Sequence, residues 1–333
     1  MTDKSRHRIL DWQIKRYKIT RPFTIARGTK NTAEQIIVTL KQGDHIGHGA
    51  CVPYRHNGET LESVAQQIET LRGDIENGLS IEDLQPRLPA GSARNALDCA
   101  LWDLKSRELG QPIWKLANID APTPRITATT LSVTSPAEVG EQAQQLSAAP
   151  LLKLKLAGDD IDIMRIEAAI KNAPNAKYIL DANESLTRKK LDALISNLDL
   201  DAISLIEQPV AAGRDEELSD FKEKHILCAD ESFHLAEDTA YLSKFYGAVN
   251  IKLDKTGGFT GALEAVKTAQ RHNMTIMLGC MLGSSLAMAP AFLLAPFAQI
   301  LDLDGPILLA QDDENGFTFD GSLMNPASLW GHP

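Results

Sequence analysis

A parallel β/α barrel preceded by a smaller α+β unit is the fold class this chain predicts, and three observations carry it. From Arg125 onward eight strand-like runs follow one another: RITATTLSV, LLKLKL, YILDAN, SLIEQP, ILCADES, AVNIKLDK, TIMLGCM and ILDLDGP. Between them, stretches such as SPAEVGEQAQQL, DIMRIEAAIKN and FTGALEAVKTAQRH have helical periodicity. Charged residues recur at even intervals, with Lys155, Asp181, Glu207, Asp230 and Lys252 standing 26, 26, 23 and 22 residues apart. Strand alternating with helix implies parallel β structure, and eight even units point to a closed (β/α)8-type barrel. An open doubly wound sheet is the alternative, and it lacks a glycine-rich phosphate loop after the first strand.

The N-terminal part reads differently. Residues 9–19 and 34–42 alternate as strands do, and GDHIGHGACVPY reads as a hairpin turn leading into a further strand. Helical patterns follow at 59–77 and 91–109, the second with Ser92 as N-cap and Gly110 as stop. The character changes near Pro122. After Pro306 the tail is loop-rich and ends in a short apolar segment expected to pack back on the N-terminal unit.

Composition narrows the function. The 333 residues carry a formal net charge of −10, which argues against nucleic acid as a partner because phosphate binding needs a basic face. The opening MTDKSRHRIL is polar and unlike a secretory leader, and no apolar run is long enough for a membrane helix. Four scattered cysteines without a C-x-x-C pair suit reduced thiols, so a cytoplasmic location is expected. A homo-oligomer is left open.

The charges fall at the carboxyl ends of the strands, which open together on the face where barrel sites form. Lys153 and Lys155 project to one side of LLKLKL, with Leu152, Leu154 and Leu156 on the other. One aspartate at a strand end commonly caps a helix or closes a turn. Asp181, Glu207 and Asp230 on three consecutive strands instead crowd like charges into one mouth, which a cation would relieve. Oxygen ligands without a histidine or cysteine cluster select Mg2+ over zinc. Lys155 and Lys252 then flank that cation, so one amine is placed to remove a proton and the other to return one on the opposite face of a carbon.

The K-x-K of LLKLKL, the set LDANE, IEQP and ADES, and NIKLDKTGG resemble the enolase superfamily, specifically its muconate-lactonising subgroup. That resemblance implies a modified TIM-type (β/α)7β barrel, with residues 1–122 as an α+β capping domain, 123–311 as the barrel and the 312–333 tail packed on the cap. LPAGSARNALDCALWDL, LGCM and DLDGP are most similar to L-Ala-D/L-Glu epimerases within the subgroup. The likeness implies one Mg2+, a dipeptide substrate and 1,1-proton transfer at the C-terminal residue's α-carbon, in murein peptide breakdown. It makes Lys155 and Lys252 the acid/base pair and sets Lys153 against the substrate carboxylate. Asp302 and Asp304 receive the free α-amino group, while Thr130 and Cys280 touch substrate.

Asp302 and Asp304 also add negative charge where a cationic substrate end is welcome and a dianion is not. The glutamate side chain needs a cation, and Arg27 in IARGTKN is preferred because a planar guanidinium matches a carboxylate. Lys30, and Tyr54 and Arg55 in PYRHNGET, are weaker candidates. Alternatives are a dipeptide epimerase of other side-chain preference, an o-succinylbenzoate synthase or muconate cycloisomerase-like lyase, and a non-catalytic Mg2+-binding barrel. An acid-sugar dehydratase fits poorly, because the sixth and seventh strands offer Lys252 and Cys280 where a His–Asp dyad is typical.

Overall fold

The computed structural model describes residues 7–25 and 28–333, with the side chains of 21–30 outside the description. Three antiparallel strands open the chain: β1 (Arg8–Ile25), β2 (Gly28–Gln42) and β3 (His45–Cys51), in spatial order β1-β2-β3. The glycines of HIGHGAC serve packing rather than the turn. The turn lies at Gly43, with φ +60°, whereas a Cβ on Gly47 or Gly49 would run into the backbone of the helix Ser92–Leu109. That helix packs Ala96, Leu97, Ala100 and Leu104 into one buried cluster with Ile36, Val38 and Leu40 of β2. Gly110 ends it in the left-handed region, as expected.

Its start corrects the sequence reading. Ser92 is the first helical residue, not the N-cap, and its hydroxyl donates to Val52 O at 3.0 Å and Glu59 Oε2 at 2.6 Å. Glu59 Oε1 accepts from Ser92 N at 3.0 Å, so a carboxylate 33 residues upstream satisfies the helix N-terminus.

The barrel strands are β5 (Thr129–Leu131), β6 (Leu151–Lys155), β7 (Lys177–Asp181), β8 (Ile203–Glu207), β9 (Leu227–Ala229), β10 (Ala248–Ile251), β11 (Thr275–Gly279) and β12 (Ile300–Asp302), running from β5 to β12 in one parallel sheet. Each predicted run supplies one of them. RITATTLSV, however, splits: β4 (Arg125–Ile126) leaves the barrel to pair with the tail, and only β5 joins the sheet. Closure is made by single bonds, from Ala128 N to Leu301 O at 2.7 Å and from Leu303 N to Thr127 Oγ1 at 2.8 Å.

Period-two alternation builds the interior in levels. Ala128, Leu151, Ile179, Leu205, Cys228, Ala248, Met277 and Ile300, one from each of the eight runs, form an apolar floor. Two residues further along each run stand Thr130, Lys153, Asp181, Glu207, Asp230, Asn250, Gly279 and Asp302, a polar level directly above it. Leu152, Leu154 and Leu156 are fully buried on the outer side, in the large cluster under the helical layer. The helices include Pro136–Gln145, Asp162–Asn172, Arg188–Asn197 and Phe259–Arg271, while Asp215–Leu218 and Lys224–Ile226, between β8 and β9, are short 3₁₀ turns.

The tail forms β13 (Thr318–Asp320) and β14 (Leu323–Asn325), the latter paired with β4, and then reaches the helix Ser92–Leu109. Trp330 is 1% exposed and donates Nε1–H to Cys99 O at 3.1 Å, and Gly331 N donates to Asp103 Oδ1 at 2.8 Å. Removing that indole leaves a cavity the surrounding elements cannot fill. Trp330→Ala is expected to cost about 3–5 kcal/mol of stability, read from urea unfolding midpoints at unchanged slope. A loss below about 1 kcal/mol would mean that the tail contributes little to the fold.

The N-terminal unit is fixed over the barrel mouth by buried polar contacts. Asp254 Oδ1 accepts from Val52 N at 3.0 Å and Asn95 Nδ2 at 2.8 Å, and Arg94 donates to Thr256 O and Gly257 O. Glu59 Oε2 also accepts from Tyr54 N at 2.7 Å. The segment Val52–His56 is thereby held across the carboxyl ends of the strands.

Candidate active site

Strand register sets the height of each polar side chain. Lys155 pairs beside Asp181, Asp181 beside Glu207, and Gly279 beside Asp302. Position around the ring sets direction. In a ring of eight, β6 and β10 are four strands apart and face each other, as do β8 and β12. Lys153 and Lys155 therefore confront Lys252 across the mouth, while Glu207 and Asp302, from strands four apart, meet on the Lys153 ammonium at 2.7 and 2.6 Å. A cavity of about 390 Å3 lies between them, lined by Thr130, Lys153, Lys155, Asp230, Lys252, Cys280, Asp302 and Asp304, with Val52–His56 forming its outer wall. Asp181 and Glu207 are fully buried behind the lysines. Arg27 lies outside the described residues, as does the side chain of Lys30. Tyr54 and Arg55 line the cavity, and the Arg55 guanidinium stands 3.8 Å from Glu34 Oε2.

The charges are tightly interleaved. Lys153 Nζ lies 2.6 Å from Asp302 Oδ2, 2.7 Å from Glu207 Oε2 and 2.9 Å from Asp181 Oδ2. Lys155 Nζ is 2.5 Å from Asp181 Oδ2, and Lys252 Nζ is 2.6 Å from Asp230 Oδ2 and 3.9 Å from Glu207 Oε1. Burial favours the neutral amine of Lys153, but Asp181, Asp302 and Glu207 together outweigh it and hold the group well above its ordinary value. Lys252 behaves likewise beside Asp230 and Glu207. Glu207 is pushed up to about 8 by burial and by Asp181 and Asp230, against the pull of Lys153 and Lys252. Asp181 and Asp230 are buried too, yet their lysine partners hold both well below the usual carboxylate range.

Among the described residues, no three histidine, cysteine or carboxylate side chains stand together as one metal-binding group. Ammonium groups lie between Asp181, Glu207 and Asp230: Lys153 touches Asp181 and Glu207, and Lys252 touches Asp230. The donor set nevertheless suits a hard cation. All three groups are buried carboxylates, and Glu207 Oε2 receives no directed hydrogen bond although Lys153 is 2.7 Å away. Asp302 Oδ1 likewise has no donor.

On the far side, Asp304 Oδ2 accepts from Thr130 N at 2.8 Å, and burial together with Asp302 pushes Asp304 up to about 6. Cys280 Sγ donates to Asp302 O at 3.3 Å, and burial holds its thiol well above the ordinary value. Its side chain lines the cavity beside Asp302 and Asp304.

Sequence reasoning missed the residues that brace these groups. Asn250 donates Nδ2–H to Glu207 Oε1 at 2.7 Å, and a Cβ at Gly279 would collide with the Asn250 amide. Gln208, in the left-handed region at φ +37°, accepts from Asp230 N at 2.8 Å and Ser232 N at 3.0 Å. Lys255 reaches Asp230 from behind. Asn250 carried a signal, since NIK places it on the same strand face as Lys252. Gln208 and Lys255 follow strand ends, where periodicity stops and no such signal exists.

Two family matches agree with this arrangement. Residues 11–117 match the N-terminal domain of mandelate racemase / muconate lactonizing enzyme, and residues 138–318 match the enolase C-terminal domain-like family. The chain belongs to the enolase superfamily, in its mandelate racemase and muconate lactonizing enzyme branch. It is 42% identical over 301 residues to the L-Ala-D/L-Glu epimerase of Escherichia coli (strain K12), covering 90% of this chain and 93% of that protein. It is 41% identical over 300 residues to the N-acetyl-D-glutamate racemase of a Pseudoalteromonas species, covering 89% and 95%. A crystal structure of an enolase family member from Agrobacterium tumefaciens, with homology to dipeptide epimerases and holding sodium and L-Ala-L-Glu with an ordered loop, superposes at a TM-score of 0.94. That protein is 41% identical, over 97% of this chain and 100% of that one. Among the described residues no helix is long and apolar enough to cross a membrane.

Proposed function

We propose that this superfamily member is a Mg2+-dependent dipeptide epimerase acting at the α-carbon of a C-terminal glutamate, interconverting L-Ala-D-Glu and L-Ala-L-Glu. One observation supports the reading most: Lys155 and Lys252 stand on strands four apart in an eight-strand ring and line one cavity between a carboxylate set and Asp302/Asp304. That is an isomerase's requirement, because inversion needs a proton group on each face of the carbon.

Asp181, Glu207 and Asp230 are the residues that would hold the ion, which supplies positive charge beside the substrate carboxylate as the α-proton leaves. Lys155 Nζ is 2.5 Å from Asp181, and Lys252 stands beside Asp230 and Glu207. Asp230 and Glu207 hold Lys252 charged against its burial, so for that lysine losing their negative charge favours the free amine. One lysine takes the α-proton as the electron pair moves into the carboxylate to give an enediolate. The other, protonated, returns a proton to the opposite face. Lys153 adds a third cation against the same carboxylate. Asp302 and Asp304 receive the substrate's ammonium group, with Thr130 and Cys280 filling the wall beside them. Arg27 is assigned the glutamate side chain. Residues 1–122 with the 312–333 tail act as the cap over a 123–311 barrel, and the physiological setting is murein peptide breakdown in the cytoplasm.

The 41% identity to an N-acetylglutamate racemase keeps a second reading in view. An N-acetylated substrate has no ammonium group, so it offers Asp302 and Asp304 no cation. Chiral chromatography of L-Ala-L-Glu, L-Ala-L-Leu and N-acetyl-L-glutamate, each with Mg2+ and with EDTA, separates the readings. The highest kcat/KM is expected for L-Ala-L-Glu, with activity lost in EDTA. A higher kcat/KM for N-acetyl-L-glutamate would overturn the dipeptide assignment, and full activity in EDTA would overturn the cation.

A pH dependence follows from Asp304. With its carboxyl raised to about 6, lowering the pH through that value neutralises it while the substrate amine, with a pKa of about 8, stays charged. KM for L-Ala-L-Glu is expected to rise below about pH 6, and a flat KM between pH 5 and 7 would count against amine recognition there.

A further inference from the structure

Among the described residues, Lys255 is the buried cation of the site that the proposed chemistry leaves unused. It lies on the helical turn Leu253–Thr256, one turn past Lys252, and is 2% exposed. Its Nζ does not face the cavity. It donates to Asp230 Oδ1 at 2.6 Å, to Asp230 O at 2.5 Å and to Asn250 O at 3.3 Å. From the neighbouring strand, Gln208 Oε1 accepts from Asp230 N at 2.8 Å, and Gln208 Nε2 donates to Val210 O, Ser232 Oγ and Tyr246 Oη. Asp230 is thus gripped at its amide, its carbonyl and one carboxylate oxygen. Only Oδ2 is turned toward Lys252 and the mouth.

We propose that Lys255 is a positioning residue that holds Asp230 Oδ1 from behind, so that Asp230 offers a divalent cation the single oxygen Oδ2. The inference rests on the cation reading given above. Its physical basis is geometric. A free carboxylate binds through either oxygen or both, and rotates to suit. A carboxylate with one oxygen fixed by a buried ammonium presents the other in one direction, which lowers the cost of ordering it when a cation binds. Asn250 plays the matching part for Glu207 by fixing Oε1 at 2.7 Å, and the Asn250 backbone carbonyl accepts from Lys255 at 3.3 Å. Lys255 therefore links the braces of two neighbouring carboxylates.

The test is Mn2+ binding followed by electron paramagnetic resonance on the full-length protein, with Lys255→Met and Lys255→Gln beside wild type and circular dichroism to confirm folding. Lys255→Met is expected to weaken Mn2+ binding about tenfold or more, with Lys255→Gln between the two. At saturating Mg2+, KM for the dipeptide should stay within about threefold of wild type, so the loss appears in cation activation, a split that general destabilisation does not produce. Mn2+ affinity within twofold of wild type in folded Lys255→Met would overturn the assignment. No Mn2+ binding by wild type would overturn the cation reading itself. If neither variant folds, a crystal structure of the wild-type protein with Mn2+ decides. Asp230 bound through Oδ2, with Oδ1 still on Lys255, supports the proposal; Asp230 bound through both oxygens overturns it.

Discussion

Lys252→Ala is expected to lower kcat for epimerisation by about 10^3-fold while leaving the fold and substrate binding in place. The loss should be one-sided. β10 faces β6 across the mouth, so removing Lys252 empties one face of the α-carbon of its proton group and leaves Lys155 on the other. In D2O, one diastereomer of L-Ala-Glu should still exchange its α-proton without inverting, and the other should not exchange. Lys155→Ala should show the mirror pattern. Loss of the Lys252 charge also frees Asp230 Oδ2, which has its 2.6 Å contact there, so cation binding is expected to be retained. Equal exchange from both diastereomers in Lys252→Ala would contradict a two-base site.

Asp304→Asn is expected to cut kcat/KM for L-Ala-L-Glu by about 100-fold. A hydrogen bond to a charged group is worth about 1.5–3 kcal/mol, and about 1.4 kcal/mol is tenfold. The substitution keeps size and an oxygen to accept from Thr130 N, now at 2.8 Å, and removes only the charge. Asp304 is the cleaner position for this experiment, because Asp302 also holds Lys153 at 2.6 Å and its loss would disturb the lysine cluster. With N-acetyl-L-glutamate, which lacks the ammonium group, the same variant should change kcat/KM by no more than about threefold. A drop of similar size for both compounds would remove the argument for amine recognition.

The barrel and most of this site were legible in the sequence for a specific physical reason. Inward positions on a strand repeat every second residue, so an apolar floor and a polar level appear as pairs such as Ile179/Asp181, Leu205/Glu207 and Ala248/Asn250. The flanking leucines of LLKLKL betray which side of that strand is outer. What escaped was set by contacts between distant segments. The N-terminus of the helix Ser92–Leu109 is satisfied by Glu59, and nothing local distinguishes that carboxylate from an exposed one. RITATTLSV breaks because Arg125 and Ile126 are claimed by β14, nearly two hundred residues later. The pairing of the lysines was likewise not legible: Lys153 touches Asp181 and Glu207 together, while Lys252 takes Asp230. Gln208 and Lys255 sit where strands end, and only tertiary structure shows that both converge on Asp230.

The central claim is that two opposed lysines invert the α-carbon of a dipeptide's glutamate, and proton NMR in D2O with Mg2+ and L-Ala-L-Glu tests it most directly. Loss of the glutamate α-proton signal, together with growth of L-Ala-D-Glu resonances, is the predicted result. No exchange from this or any other dipeptide, under conditions where N-acetyl-L-glutamate does exchange, would contradict it.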